Sequence, residues 1–174
     1  IDEYKHQWNV VEAISFLRSQ GFPVTLELYG VANKKPLKKL NKSIKKHDPN
    51  KKFIFYKDEA DFSQVHNIYK NADASVFASS CETFGQIVLE SMASGLPIAC
   101  SRLSSMSEII KDGCIYFNPL EPEEISLALR ELLLSPTKRK DIAQKAYSYS
   151  REFSWHYTSQ ETFQYIYKVQ QENS

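Results

Sequence analysis

Ser79-Ser80-Cys81-Glu82-Thr83-Phe84-Gly85-Gln86-Ile87-Val88-Leu89-Glu90 is the stretch on which the reading of this chain turns. A short polar loop runs into an apolar segment with helical spacing, yet one glutamate stands at the mouth of that segment and another inside it. Carboxylates taken from water need partners, so either groups within the fold or a ligand must meet them. Thr83 and Gln86 fit a capping box, with Thr83 as N-cap and Gln86 at N3, which puts Glu82 just outside the helix. From Thr83 to Glu90 the helix advances about 10 Å and turns roughly 700°, setting Glu90 on nearly the same face as Thr83. Unpaired amides at the helix mouth, with Gly85 adding no side chain, make an anion seat. A carboxylate beside it can accept from a pair of sugar hydroxyls. Spacing alone reads first in a plainer way: Glu82 complements the helix dipole and Glu90 pairs with an internal cation.

Outward from this stretch the chain alternates short apolar runs with amphipathic ones. The runs at 24–29, 53–56, 74–78, 97–100 and 115–117 have the length and β-branched or aromatic content of buried strands. Helical spacing covers about 7–19, 37–46, 62–71, 84–94 and 106–111. Strand alternating with helix predicts a doubly wound, Rossmann-like parallel sheet. After Phe117 the pattern is helical only, over about 122–134, 138–150 and 155–171, and these helices are expected to cover the sheet, with Trp155, Phe163, Tyr165 and Tyr167 mostly in the core and some of them docking on a domain outside this chain. The expected organisation is one domain, 1–174, with the Rossmann-like core over about 1–118 and C-terminal helices over about 119–174. A doubly wound sheet normally has its first strand at the centre. This chain opens on the loop into the first helix, so a preceding strand is expected to lie outside it.

The chain has 174 residues, 42% of them hydrophobic, and a formal net charge of +1. That balance supports one ordinary core and argues for no nucleic-acid partner. Cys81, Cys100 and Cys114 show no metal-ligand or disulfide spacing, which suits a reducing, cytoplasmic setting. No run is long enough to span a bilayer. Lys34, Lys35, Lys38, Lys39, Lys42, Lys45, Lys46, Lys51 and Lys52 crowd one region. They read as a solvated helix face, with peripheral contact to an anionic membrane as the alternative. His6, His47, His66 and His156 have neither triad nor ligand spacing, and His6 is a secondary candidate for touching phosphate. Arg102 reads equally as a ligand-loop residue and as a salt-bridge partner, while Ser105 and Glu108 fit a second capping box.

The run from Asn71 to Asn118, through Glu82-Thr83-Phe84-Gly85 and Leu89-Glu90-Ser91-Met92-Ala93-Ser94-Gly95-Leu96-Pro97, closely resembles the group 1 glycosyltransferases. These are retaining enzymes of family 4 with the GT-B fold, and the likeness is to their C-terminal, donor-binding domain. Its specific part is a glutamate, seven residues and a second glutamate. Phe153-Ser154-Trp155 extends the likeness over essentially the whole chain.

The resemblance implies that Glu82, the catalytic position, bonds hydroxyls of the transferred sugar while Glu90 holds the ribose. It further implies that Thr83 and the amides near Phe84, Gly85 and Gln86 meet the diphosphate, and that Lys5 is the phosphate-binding lysine ahead of the first helix. The family's partner arginine would fall just before Ile1. The donor is then a nucleotide sugar of UDP or GDP type, and no further cofactor is expected. A metal has no support, because no Asp-x-Asp triplet occurs. The acceptor site would belong to an N-terminal domain absent from this chain, which alone would bind donor without transferring sugar. Ala78, Ser104-Ser105 and Lys57 depart from the family pattern, the last two at positions near sugar and base. An epimerase-like domain and a non-catalytic nucleotide-binding module are the competing readings. An epimerase would convert donor without acceptor, and a sensor would bind nucleotide without the sugar.

Overall fold

The computed structural model describes residues 1–173. Five parallel strands are present: β1 (Leu26–Tyr29), β2 (Ile54–Lys57), β3 (Ser75–Phe77), β4 (Ile98–Ser101) and β5 (Ile115–Phe117). Eight helices accompany them: α1 (Gln7–Ser19), α2 (Lys34–His47), α3 (Val65–Lys70), α4 (Gln86–Ala93), α5 (Met106–Ile110), α6 (Pro122–Leu134), α7 (Pro136–Ser150) and α8 (Trp155–Glu172). Each expected strand and helix is found, with no end shifted by more than three residues.

The strands form two ladders, β1-β2 and β3-β4-β5. In a doubly wound order the first strand stands between the second and the fourth. The break between ladders therefore falls where the sequence reading put an additional strand. β4 is flanked on both sides and every residue in it is buried, which explains its continuous apolar run.

Side-chain alternation sends Ala99 and Phe117, with Ala78, into one core and Phe77, Ile98 and Cys100 into another. The first core is closed by α1, α2 and α6, through Val11, Leu17, Leu40, Ile125 and Leu132. The second is closed by α4, α5 and α7, through Val88, Met92, Met106, Ile110 and Ala146. Helices thus cover both faces of the sheet, and the loops at the carboxyl ends of the strands are left to form a ligand crevice.

Two expectations are corrected. α8 has no buried residue. Trp155, Phe163, Tyr165 and Tyr167 are 64% to 82% exposed and so are not core. The apolar face is there, as the pattern required, but nothing among the described residues covers it. α5 begins after Ser105 without a side-chain cap; the Ser105 hydroxyl is turned instead toward the carbonyls of Thr83 and Glu82, to which it donates.

Buried Asp48 organises the link from α2 to β2. Its carboxylate accepts from the amides of Lys52, Phe53 and Ile54 at 2.8 to 2.9 Å. Burial alone would raise its pKa, but these three amides, with Arg18 nearby, hold it below the ordinary carboxylate value.

Candidate functional site

The site is built where a turn before α1 meets the loop after β3. Glu3–Lys5 form one 3₁₀ turn, capped by the Asp2 side chain. Ser80 donates its amide to the Tyr4 carbonyl at 2.8 Å, and the Ser79 and Ser80 hydroxyls converge on the same oxygen. His6 takes a left-handed conformation, φ +46°. Its Nε2 lies 2.7 Å from Ser80 Oγ. Burial, with Lys39 nearby, pushes the His6 pKa down. His6 is therefore a strut between turn and loop.

Two residues far apart in sequence meet across this junction. Lys5 Nζ lies 2.9 Å from Glu82 Oε1. Their side chains keep 23% and 15% of their exposure, so the pair is shielded but reachable. An ammonium has three donors, and this contact engages one of them.

The helix behind Glu82 starts later than the sequence suggests. Thr83 is not its cap: α4 begins at Gln86, with Gly85 in the N-cap position at φ +75° and no side-chain cap. A left-handed residue turns the chain into the helix without an acceptor side chain, and glycine adopts that conformation at no steric cost. Gly85 is buried, and a Cβ there would stand 2.8 Å from Met106 Cε. The space it saves therefore lies beneath the loop. The Gln86 and Ile87 amides remain without intrahelical acceptors, as at any helix start. Thr83, Phe84 and Gln86 are all exposed, and the Phe84 ring is held edge-on by Phe153 at 5.4 Å.

Glu90 sits one turn into α4 and is half-buried. Tyr69, on α3, donates its hydroxyl to Glu90 Oε2 at 2.9 Å. Burial and the adjacent carboxylate push the Tyr69 pKa well up, so it stays a donor. Both glutamates thus have internal partners, a cation for Glu82 and a phenol for Glu90.

Sequence reasoning missed Tyr69 and Ser104. Ser104 has φ +66°, and its hydroxyl accepts from the Glu82 amide at 2.8 Å while also contacting the Glu82 carbonyl. The signal available was its departure from a glycine pair, since the conformation suits glycine and the hydroxyl offsets the misfit. Lys57, another departure, is bound to Glu27 at 2.7 Å and to the Tyr29 hydroxyl at 3.0 Å. Arg102 pairs with Glu124, which is the structural of its two readings.

The arrangement offers a cation paired with one carboxylate ahead of α4, two open amides at the start of that helix and a second carboxylate one turn into it. The chain as a whole is similar to known proteins in sequence and in fold. The family model described as glycosyl transferases group 1 matches residues 1–149. O-antigen chain mannosyltransferase B of Escherichia coli is 28% identical over 88 residues, 51% of this chain and 23% of that protein. The chain therefore spans less than a quarter of that relative in the match. The crystal structure of the C-terminal domain of LpcC, a glycosyl transferase group 1 family protein from Francisella tularensis, aligns with TM-score 0.76 and 26% identity, covering 87% of this chain and 80% of that one. Anabaena HepE in complex with UDP and glucose aligns with TM-score 0.85 and 19% identity, covering 97% of this chain and 46% of that one.

Proposed function

The chain belongs to the group 1 glycosyl transferases, and on that footing we propose that it is the donor-binding half of a retaining, metal-independent enzyme. That enzyme moves a sugar from a nucleotide-diphosphate sugar to a glycan or lipid-linked acceptor, in polysaccharide or lipopolysaccharide synthesis. The observation that carries this reading is the 2.9 Å pair of Lys5 and Glu82 beside the open mouth of α4. Sugar transfer leaves negative charge on the departing diphosphate, and fixed donors must meet it. Lys5 has donors to spare, and the Gln86 and Ile87 amides lie at the positive end of α4. Glu82 then accepts hydroxyls of the transferred sugar. Glu90, oriented by Tyr69, accepts the ribose pair.

HepE was solved with UDP and glucose, which supports a UDP-type donor as the first to test. The acceptor half is the expected partner, consistent with a chain that covers under half of HepE. The uncovered aromatic face of α8 is the surface we assign to it. The proposed enzyme is a cytoplasmic one, with any membrane contact peripheral; no helix among the described residues is long and apolar enough to cross a membrane.

Ligand-observed NMR against UDP-, GDP- and ADP-sugars tests the assignment, with Glu90→Ala as control. Binding of one nucleotide class, lost in the variant, is the expected result. Equal binding by wild type and variant, or none by the protein joined to its acceptor half, would overturn it. Sugar transfer that a chelator abolishes and magnesium restores would remove the metal-independent part alone.

A further inference from the structure

The seven lysines of α2, Lys34, Lys35, Lys38, Lys39, Lys42, Lys45 and Lys46, are all exposed. At 100° per residue they fall within an arc of about 140°, along roughly 18 Å of helix axis. Pro36, Leu40 and Ile44 are buried on the other side. Lys51 and Lys52, also exposed, follow in the loop to β2.

Little within the fold answers this charge. Asp48 is the only acid between residues 34 and 52, and its oxygens are taken by three backbone amides. Glu3 reaches Lys35 at 2.6 Å and Glu12 reaches Lys46 at 3.7 Å. The Lys39 ammonium lies 3.8 Å from the centre of the Trp8 ring. Lys34, Lys38, Lys42 and Lys45 have no carboxylate within ion-pair distance among the described residues. Lys34 and Lys38, Lys38 and Lys42, and Lys42 and Lys46 are like-charge pairs one turn apart, a spacing that opposes helix formation. The helix dipole accounts only for those in the last turn. With a net charge of +1 for the whole chain, the rest of the molecule is net acidic, so the stripe is a one-sign face on a nearly neutral protein.

We infer that this stripe is an electrostatic docking surface for an anionic lipid bilayer. A broad face of ammonium groups along one helix meets a plane of headgroup charge, and basic clusters of this size on an amphipathic helix are suited to it. Because the apolar side of α2 is committed to the core, the helix docks without inserting, and the attraction is screened by salt. A nucleic acid is the poorer match. α2 carries no arginine for bidentate phosphate contacts and no exposed ring for base stacking. The inference stands apart from sugar transfer and is tested without a donor.

The test is co-sedimentation of the purified protein with phosphatidylcholine vesicles, with and without phosphatidylglycerol, at low and high salt. The expected result is binding only to the anionic vesicles, released by salt. Lys38→Gln/Lys42→Gln/Lys45→Gln should weaken it at least about tenfold, while the matching arginine triple retains it. Lys138→Gln/Lys140→Gln/Lys168→Gln removes the same charge from α7 and α8 and should bind nearly as wild type, with thermal melts confirming that every variant is folded. No binding to anionic vesicles, or equal loss in both glutamine triples, would overturn the inference. Salt-insensitive binding would overturn it in favour of the rings on α8. Duplex DNA that binds more tightly than the vesicles and strips the protein from them would overturn it in favour of a nucleic acid.

Discussion

The Tyr69 hydroxyl stands 2.9 Å from Glu90 Oε2, joining α3 to α4. The bond fixes one carboxylate oxygen and leaves the other for a ligand. Tyr69→Phe removes the hydroxyl with almost no change in shape. Nucleotide affinity should then fall by about 3- to 10-fold, the order expected when a bound carboxylate keeps its ligand but loses one orienting hydrogen bond, with little change in melting temperature. Titration calorimetry of wild type and variant reads this. An unchanged Kd would mean that α4 alone orients Glu90.

Ser104 pairs a backbone conformation suited to glycine with two hydroxyl contacts to the Glu82 backbone. The two available substitutions separate these terms. Ser104→Gly loses the hydroxyl but relieves the left-handed φ, so stability should change by less than about 1 kcal/mol. Ser104→Ala loses the hydroxyl and keeps the strain, costing about 1–2 kcal/mol. Denaturant unfolding ranks the pair, and an alanine variant as stable as the glycine variant would contradict the strain argument.

These two residues show where sequence reading stops. Strands and helices were legible because burial on two faces imposes period and length, and β4 flanked on both sides can only be an apolar run. Glu82, Glu90 and Lys5 stand out in the sequence through a motif and its spacing, and the structure pairs Lys5 with Glu82 and Glu90 with Tyr69. Tyr69 and Ser104 act through contacts across 21 and 22 residues, and no local period records such contacts. The Thr83 cap failed for a different reason. A capping box and a left-handed glycine are both good helix starts, and Thr83-Phe84-Gly85-Gln86 carries the residues for each. In the structure the glycine start is the one taken, with Gly85 in the left-handed conformation at the N-cap. For α8, the pattern gave the helix but held no information on what would cover its aromatic residues, all of which are exposed.

Asp48 gives stability a pH signature. Its folded pKa lies below the ordinary carboxylate value, so its contribution is fully present above the unfolded value of about 3.9. That contribution is lost as pH falls through the lower, folded value. Asp48→Asn cannot accept from three amides and should cost about 1–3 kcal/mol near neutral pH. Melts of wild type and variant across the acid range should show a large gap at pH 6 that narrows steadily below about pH 4. A gap independent of pH would mean that the loss is one of shape alone.

Gly85 separates folding from binding at the helix mouth. Its φ of +75° costs an alanine about 1–2 kcal/mol. The added Cβ would meet the Met106 methyl at 2.8 Å, but that methyl is the end of a flexible side chain and can yield. Gly85→Ala should therefore lower the melting temperature by roughly 2–8 °C for a domain of this size. Because the Cβ points beneath the loop, the amides of Gln86 and Ile87 stay open to an anion. Nucleotide affinity measured well below the melting temperature should then fall by less than about threefold, under 1 kcal/mol. A loss of binding much larger than this, with the fold intact by circular dichroism, would mean that the glycine is needed for close approach of the diphosphate and not only for the turn into α4.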